Sequence, residues 1–233
     1  MRRLKKWIDE IRAENKEYAA ANWMCRYSGD TAEFIVHPHV VYNSGRFKHT
    51  VIRIGMILTR LSKKMEETGY VFHVQTFPSL EDLKIVASIR LNVNLSQGNN
   101  NSSHLKKPSA AEEKKAPSAA ELLNRRARHH RLDVTPIGNE KKLPELDSSS
   151  HNNSKWYLIG SSNDNPFTWL HVGFFAQEIF LSSGFSDPGE SPLIISGPEL
   201  NEIREELEID EPPTFFHACI AIIAALPEPN GNR

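Results

Sequence analysis

Near the amino terminus, Leu4, Trp7, Ile8 and Ile11 recur at i, i+3, i+4 and i+7 with charged residues between them, a spacing that predicts a short amphipathic helix. The stretch "TAEFIVHPHVVYNSG" is rich in Phe, Ile and Val and is broken at Pro38 and again from Asn43 to Gly45, which predicts one strand followed by a turn. In "KHTVIRIGMILTRLSKKMEETGY", Val51, Ile54, Leu58, Leu61 and Met65 alternate spacings of three and four, and Gly69 follows where a positive-φ residue ends a helix. Ile52, Met56 and Ile57 give the first half of that helix a second apolar side, so it is expected between two layers or at a subunit contact. "YVFHVQTFP" reads as a strand. Ser79 with Asp82 resembles a cap for a short helix "LEDLKIVA", and "SIRLNVNL" alternates as a further strand.

The pattern stops at Gln97. From there to Ala119 the chain has no aromatic residue and a single large aliphatic, Leu105, too little to offset the entropy of ordering it, so a linker is expected. A second polar run, "GNEKKLPELDSSSHNNS", precedes a strand, "KWYLIGSS". "DNPFTWLHVGFFAQEIFLSSG" offers Asp164 or Asn165 as N-cap, Pro166 at the first helical position and Gly184 at the end, and its interior is apolar on nearly every side. A helix of that kind is buried. "SGPELNEIREELEI" predicts another helix, and the apolar run "FFHACIAIIAAL" a central strand. The order of elements is that of an α+β chain in two halves, residues 1–96 and 120–228, joined by a linker at 97–119 and followed by a tail at 229–233.

Composition narrows the function classes. The 233 residues are 39% apolar and carry a formal net charge of -1, which argues against a chain that coats nucleic acid. Two cysteines, Cys25 and Cys219, sit without a CxxC pair, the usage of a reducing compartment, and each reads as a buried structural thiol. The amino terminus lacks a secretory apolar core and no run reaches the roughly 18 apolar residues of a membrane span, so a soluble, cytoplasmic protein is expected.

Against that balanced background, "RRARHHRLDVTPIG" places four arginines and two histidines in the seven residues from Arg125 to Arg131. The run admits three readings: a phosphate site, since paired arginine forks satisfy a desolvated dianion; a solvated basic patch; or a nucleic-acid contact, for which no recognised motif stands beside it.

The pieces "KHTVIRIGMILTRLSKKMEETGY", "RRARHHRLDVTPI", "NDNPFTWLHVGFFAQEIFLSSG" and "SPLIISGPELNEIREEL" resemble, in sequence and order, the duplicated-domain branch of the nitroreductase-like flavoproteins, the Acg-type FMN-binding oxidoreductases. Gly55 and Gly173 fall at the matching glycines of two family helices. The resemblance implies a nitroreductase-like fold: two halves, each a small, mostly antiparallel sheet packed by helices, with long buried central helices. It implies FMN as cofactor, NAD(P)H as electron donor, a small nitroaromatic or quinone acceptor, and a homodimer or internal pseudo-dimer. By the same resemblance the run at Arg125 to Ile137 meets the FMN phosphate. Arg125 and Arg126 match directly, as do Asp133 and Pro136, while His129 and His130 stand where the family has arginines and Ala127 replaces a hydroxyl residue. The family stretch that reaches the flavin is reduced to "AAANWMCRY", in which Trp23 and Asn22 keep the likeness, and the arginine of its closing strand is missing from "CIAIIAA".

The candidate cofactor-binding set is therefore Arg125, Arg126, His129, His130, Trp23, Gly55 and Gly173. Each has a plainer reading. A glycine inside a helical pattern costs about 1 kcal/mol relative to alanine and can be compensated by close helix packing. Trp23 can be a core side chain, and His171 and His217 core or interface residues with a hydrogen-bond partner. His37 and His39 share a strand face, but no Cys or carboxylate stands at ligand spacing, so no metal site is expected. Flavin chemistry needs few protein side chains, so no catalytic acid or base is read from the sequence. Two functions follow from the resemblance: an FMN-dependent NAD(P)H oxidoreductase, or a catalytically degenerate homodimer of the same fold that binds or stores flavin.

Overall fold

The structure, a computed structural model, describes residues 2–14, 22–92, 119–137, 154–182, 194–195 and 215–223. Two antiparallel four-stranded sheets are each packed by helices, giving an α+β architecture. The first half runs α1 (Arg2–Glu14), β1 (Trp23–Ser28), β2 (Thr31–Val36), α2 (Pro38–Val41), α3 (Ser44–Glu67), β3 (Val71–Thr76) and β4 (Ile85–Asn92). The second runs α4 (Ala119–His129), β5 (Asp133–Ile137), β6 (Ser154–Ser161), α5 (Pro166–Ser182), β7 (Ile194–Ile195) and β8 (Phe215–Ile223). The sheet orders, β1-β2-β4-β3 and β5-β6-β8-β7, are the same pattern used twice, with one long helix between the strand pairs of each.

The amphipathic face predicted for α1 turns inward: Leu4, Trp7, Ile8 and Ile11 are buried in the first core. Trp7 meets Tyr70 edge to face, and Glu10 pairs with Lys64 of α3. Helix α3 starts at Ser44, earlier than its apolar spacing suggested, because the Asn43 side chain caps it by accepting from the Arg46 N–H. It ends as expected at Gly69, with φ of 73°; Tyr70 N–H donates to the Met65 carbonyl and Gly69 N–H to that of Glu66. Helix α5 is capped by Asn165, whose Oδ1 accepts from the Thr168 N–H and hydroxyl.

Three local expectations change. β1 pairs with β2 in a hairpin that the sequence pattern did not single out, since exposed Met24 interrupts its apolar alternation. The break at Pro38 holds a short helical turn. The expected helix "LEDLKIVA" does not form: Asp82 N–H donates to Ser79 Oγ in a loop, and β-branched Ile85 and Val86 begin β4, which hydrogen-bonds β2 and β3 on either side. Residues 97–118 of the expected linker, most of the second polar run and the helix at 196–209 lie outside the described residues, as does Gly184, while Ala119, the linker's last expected residue, opens α4.

The central helices hold the halves together. Near their N-terminal ends, Lys48 of α3 pairs with Asp164 at 3.0 Å, and Phe47 meets Trp169 edge to face. They cross at Gly55 and Gly173. A Cβ on Gly173 would lie 2.0 Å from the Ile52 carbonyl oxygen, and one on Gly55 would lie 2.4 Å from that of Leu170. Three residues before each glycine the helices exchange side chains: Ile52 of α3 belongs to the second core and Leu170 of α5 to the first. Helix α5, apolar nearly all round, is buried on both sides as its composition predicts. No described helix is long and apolar enough to cross a membrane.

Candidate functional site

Helix α4 carries the basic run, and its 100° turn per residue separates neighbours that the sequence puts side by side. Leu123 and Ala127 enter the second core and His130 is buried beside them, whereas Arg125, Arg128 and His129 face outward. Arg126 lies on the flank. Its Nη1 donates to the Glu178 carbonyl at 3.3 Å and to the Ser182 hydroxyl, both on α5.

The end of α4 also explains part of the charge. Leu132 N–H donates to the Ala127 carbonyl and Arg131 N–H to that of Arg128, with Arg131 at a φ of 57°, the arrangement that closes α3 at Gly69. Arg126, Arg128 and His129 occupy the last turn, where cations interact favourably with the negative helix end.

Between the C-terminal halves of α3 and α5 lies a cleft of about 710 Å³. Leu58, Thr59 and Ser62 of α3 form one wall, Phe174 and Leu181 of α5 the other, and Val74 and Thr76 of β3 close a third side. Its charged groups are Lys63 and Glu66 from the first half and Arg126 and Glu178 from the second. Glu178 is the sole acidic residue of α5, and it lies seven positions after His171, on the same face of that helix. The buried His130 ring bonds to both: its Nδ1 is 3.2 Å from His171 Nδ1, and its Nε2 is 3.0 Å from Glu178 Oε2. The His130 bond holds the Glu178 carboxyl below the usual range despite partial burial.

Of the seven candidate residues, the structure brings one, Arg126, to the cleft wall and a second, His130, directly behind it. Arg125 and His129 are exposed on the far side of α4. Trp23 is not brought to the cleft: it is 1% exposed within the first core, its ring stacked on Phe34 and covered by the Arg12 guanidinium 3.9 Å from the ring centroid. Gly55 and Gly173 meet each other at the helix crossing, where any side chain would strike backbone, so packing accounts for both. Glu178 and Ser182 are the residues that reading the sequence missed. The signal for Glu178 was a lone carboxylate in an apolar helix, on one face with a histidine.

A second polar row lies at the opposite ends of the central helices. Ser161 Oγ is 2.7 Å from His217 Nε2, and His217 Nδ1 is 3.5 Å from Asp164 Oδ1, beyond hydrogen-bonding geometry but within electrostatic reach. Asp164 also accepts from Trp169 Nε1 at 2.6 Å and from Lys48. The order Ser–His–Asp is that of a nucleophile, base and orienting acid. Access and protons argue otherwise. Ser161 is 1% exposed and His217 fully buried, and the single Ser161 hydroxyl proton goes to the Asn163 carbonyl at 2.7 Å, leaving His217 Nε2–H as the donor to Ser161. Burial and the Lys48 charge lower the His217 pKa to about 4, partly opposed by Asp164, so the ring is neutral near pH 7. Burial alone would raise the Asp164 pKa, but Trp169, Lys48 and His217 together bring it below the ordinary value. The row is a clamp between halves, fixed by Lys48, which also donates to the Phe216 carbonyl at 3.3 Å.

Burial pushes the Cys25 and Cys219 thiols up to about 12, so neither supplies a thiolate. Among the described residues, no group of three or more His, Cys, Asp and Glu side chains is placed to hold a metal ion. Neither a known family model nor a curated protein matches the chain.

Proposed function

We propose that the chain binds FMN in the cleft between α3 and α5 and passes electrons from NAD(P)H to a small acceptor such as a quinone or nitroaromatic compound. The observation that carries this reading is Arg126: the one arginine of the "RRARHHR" run on the wall of a cleft that, at about 710 Å³, has the size of a cofactor site. Lys63 across the cleft offers a second cation to a phosphate, and Leu58, Phe174 and Leu181 give a planar ring apolar walls. When bound, the flavin supplies the redox chemistry; the chain's residues bind and orient it and set the charge around it.

Titration with FMN, followed by quenching of flavin fluorescence, tests the reading. Arg126→Ala is expected to weaken FMN binding about 10- to 100-fold, the worth of hydrogen bonds to a charged group, while riboflavin, which lacks the phosphate, loses nothing. A native protein that quenches neither flavin removes the proposal.

One observation favours a second reading, a flavin-storing homodimer of the same architecture without catalysis. Arg126 uses one of its three guanidinium nitrogens, Nη1, on Ser182 and the Glu178 carbonyl, and Arg125 and Arg128 face outward, so the run offers the cleft a single arginine to hold a ligand in place for transfer. FMN binding with NAD(P)H oxidation at background in the presence of menadione selects this second reading.

A further inference from the structure

We propose that Glu178 delivers the proton taken up by an acceptor reduced in the cleft, that His130 holds this proton beforehand, and that His171 is the positioning residue for His130. The proposal rests on the oxidoreductase reading above. Reducing a quinone or nitro group by two electrons requires a hydride equivalent and a proton, and the nicotinamide–flavin couple supplies the first. If a bound donor and acceptor fill the cleft and displace its water, the proton must come from a side chain already in place.

Four ionisable groups line the cleft: Lys63, Glu66, Arg126 and Glu178. Arg126 does not release a proton. Glu178 differs from Lys63 and Glu66 in being bonded to a buried imidazole, His130 Nε2 at 3.0 Å; the carboxylate is 40% exposed and the ring 6%. It therefore has one side toward the cleft and one toward a nearly buried ring. In the loaded state His130 carries a proton on each nitrogen, Nε2–H donating to Glu178 Oε2 and Nδ1–H to His171 Nδ1 at 3.2 Å. That arrangement requires His171 to be neutral. Partial desolvation, then the neighbouring His130, Arg131 and His129 charges, lower the His171 pKa, with Glu178 opposing, which favours His171 as the neutral, accepting ring.

The transfer balances without moving electrons in the protein. The Nε2 proton of His130 crosses to the Glu178 carboxylate, and the carboxyl so formed gives it to the oxygen of the reduced acceptor; the imidazolium becomes imidazole and the carboxylate ends as it began. Glu178 then takes a proton from water once product leaves and returns it to His130. The groups facing the pair are Glu178 and Arg126 beside the cleft and His129 and Arg131 at the end of α4, with Phe174 and Phe175 packed on the ring.

The test compares FMN-loaded native protein with Glu178→Gln and His171→Ala, leaving buried His130 untouched. Flavin affinity is measured first, by fluorescence quenching, so that each variant is compared with the native protein at saturating FMN. Menadione is then mixed with the reduced, loaded protein in the presence of a pH-indicating dye. The native protein is expected to draw its proton from solution only after the acceptor is reduced. Glu178→Gln is expected to reduce menadione about 100-fold more slowly, with proton uptake no longer lagging and a larger solvent deuterium isotope effect. His171→Ala is expected to lose about 10-fold, recovered by added imidazole. If native and Glu178→Gln proteins, each saturated with FMN, reduce menadione at the same rate, the proton role is wrong and the flavin reading stands. If the native protein binds no FMN, or binds it without turnover, the oxidoreductase reading falls and the proton role with it.

Discussion

The two halves have the same strand order around a central helix, yet their flanking helices turn different chemistry inward. In the first half α1 presents Leu4, Trp7, Ile8 and Ile11 to the core, and Trp23 is closed in by Phe34 and Arg12. In the second half α4 presents Leu123 and Ala127, then a buried histidine, with Arg126 on its flank. One half is sealed with hydrocarbon. The other places a guanidinium, an imidazole and a carboxylate at the edge of a cleft whose opposite wall is borrowed from the sealed half. Repeating a topology thus leaves the chemistry free to differ, and a handful of side chains on α4 and α5 makes the difference.

What the halves share is best broken at the crossing. Gly173→Ala puts a methyl group 2.0 Å from the Ile52 carbonyl oxygen, and backbone inside a helix cannot move aside as a flexible side chain would. The helices must separate, drawing Ile52 from the second core and Leu170 from the first. The expected loss is about 3 kcal/mol or more, read from urea unfolding, even though alanine is the better helix former by about 1 kcal/mol. An unchanged unfolding midpoint would show that the crossing is looser than the glycine contact indicates.

The difference between halves is sharpened by pH. Unfolding exposes His217, whose pKa then rises from about 4 to the ordinary 6.5. Between those values the unfolded chain binds a proton that the folded chain refuses, so stability contributed above pH 6.5 is lost as pH falls toward 4. From pH 7 to pH 5 the loss is about 2 kcal/mol, from about 1.4 kcal/mol per pH unit across that window. His217→Gln, which cannot titrate, is expected to flatten that part of the profile. The measurement is thermal unfolding of both proteins at the two pH values; parallel profiles would assign the acid sensitivity to other groups.

How much of this the sequence disclosed depends on the range of the forces involved. Helices α1, α3 and α5 were legible because their apolar spacing is a local property, as was the end of α3 at Gly69. The start of β4 was not legible because Ile85 pairs with Ile35 of β2, far back in the chain, and Val86 accepts from the Phe77 N–H, which together outweighed the capping pattern at Ser79 and Asp82. The basic run was visible, but the directions of its side chains were not. They depend on α4 continuing through His129, which turns Arg126 toward α5 while Arg125 faces outward. Glu178 joined the site through packing of α5 against α4, and no spacing along the chain encodes that contact.

The smallest expected effect separates the two uses of the basic run. Helices α3 and α4 end in the same hydrogen-bonding motif, one with Gly69 in the left-handed region and the other with Arg131. A left-handed non-glycine residue costs about 1–2 kcal/mol, while glycine costs roughly 0.5–1 kcal/mol more to order from the unfolded chain. Arg131→Gly is therefore expected to stabilise the protein by a few tenths of a kcal/mol to about 1 kcal/mol. Because Arg131 is exposed and does not line the cleft, FMN affinity should stay at the native value, the reverse of Arg126→Ala. Urea unfolding and flavin titration on the same two variants check both effects. A loss of flavin affinity in Arg131→Gly would place the proposed phosphate contact at the exposed end of α4 rather than on its flank, and the difference between the halves would then lie at that end.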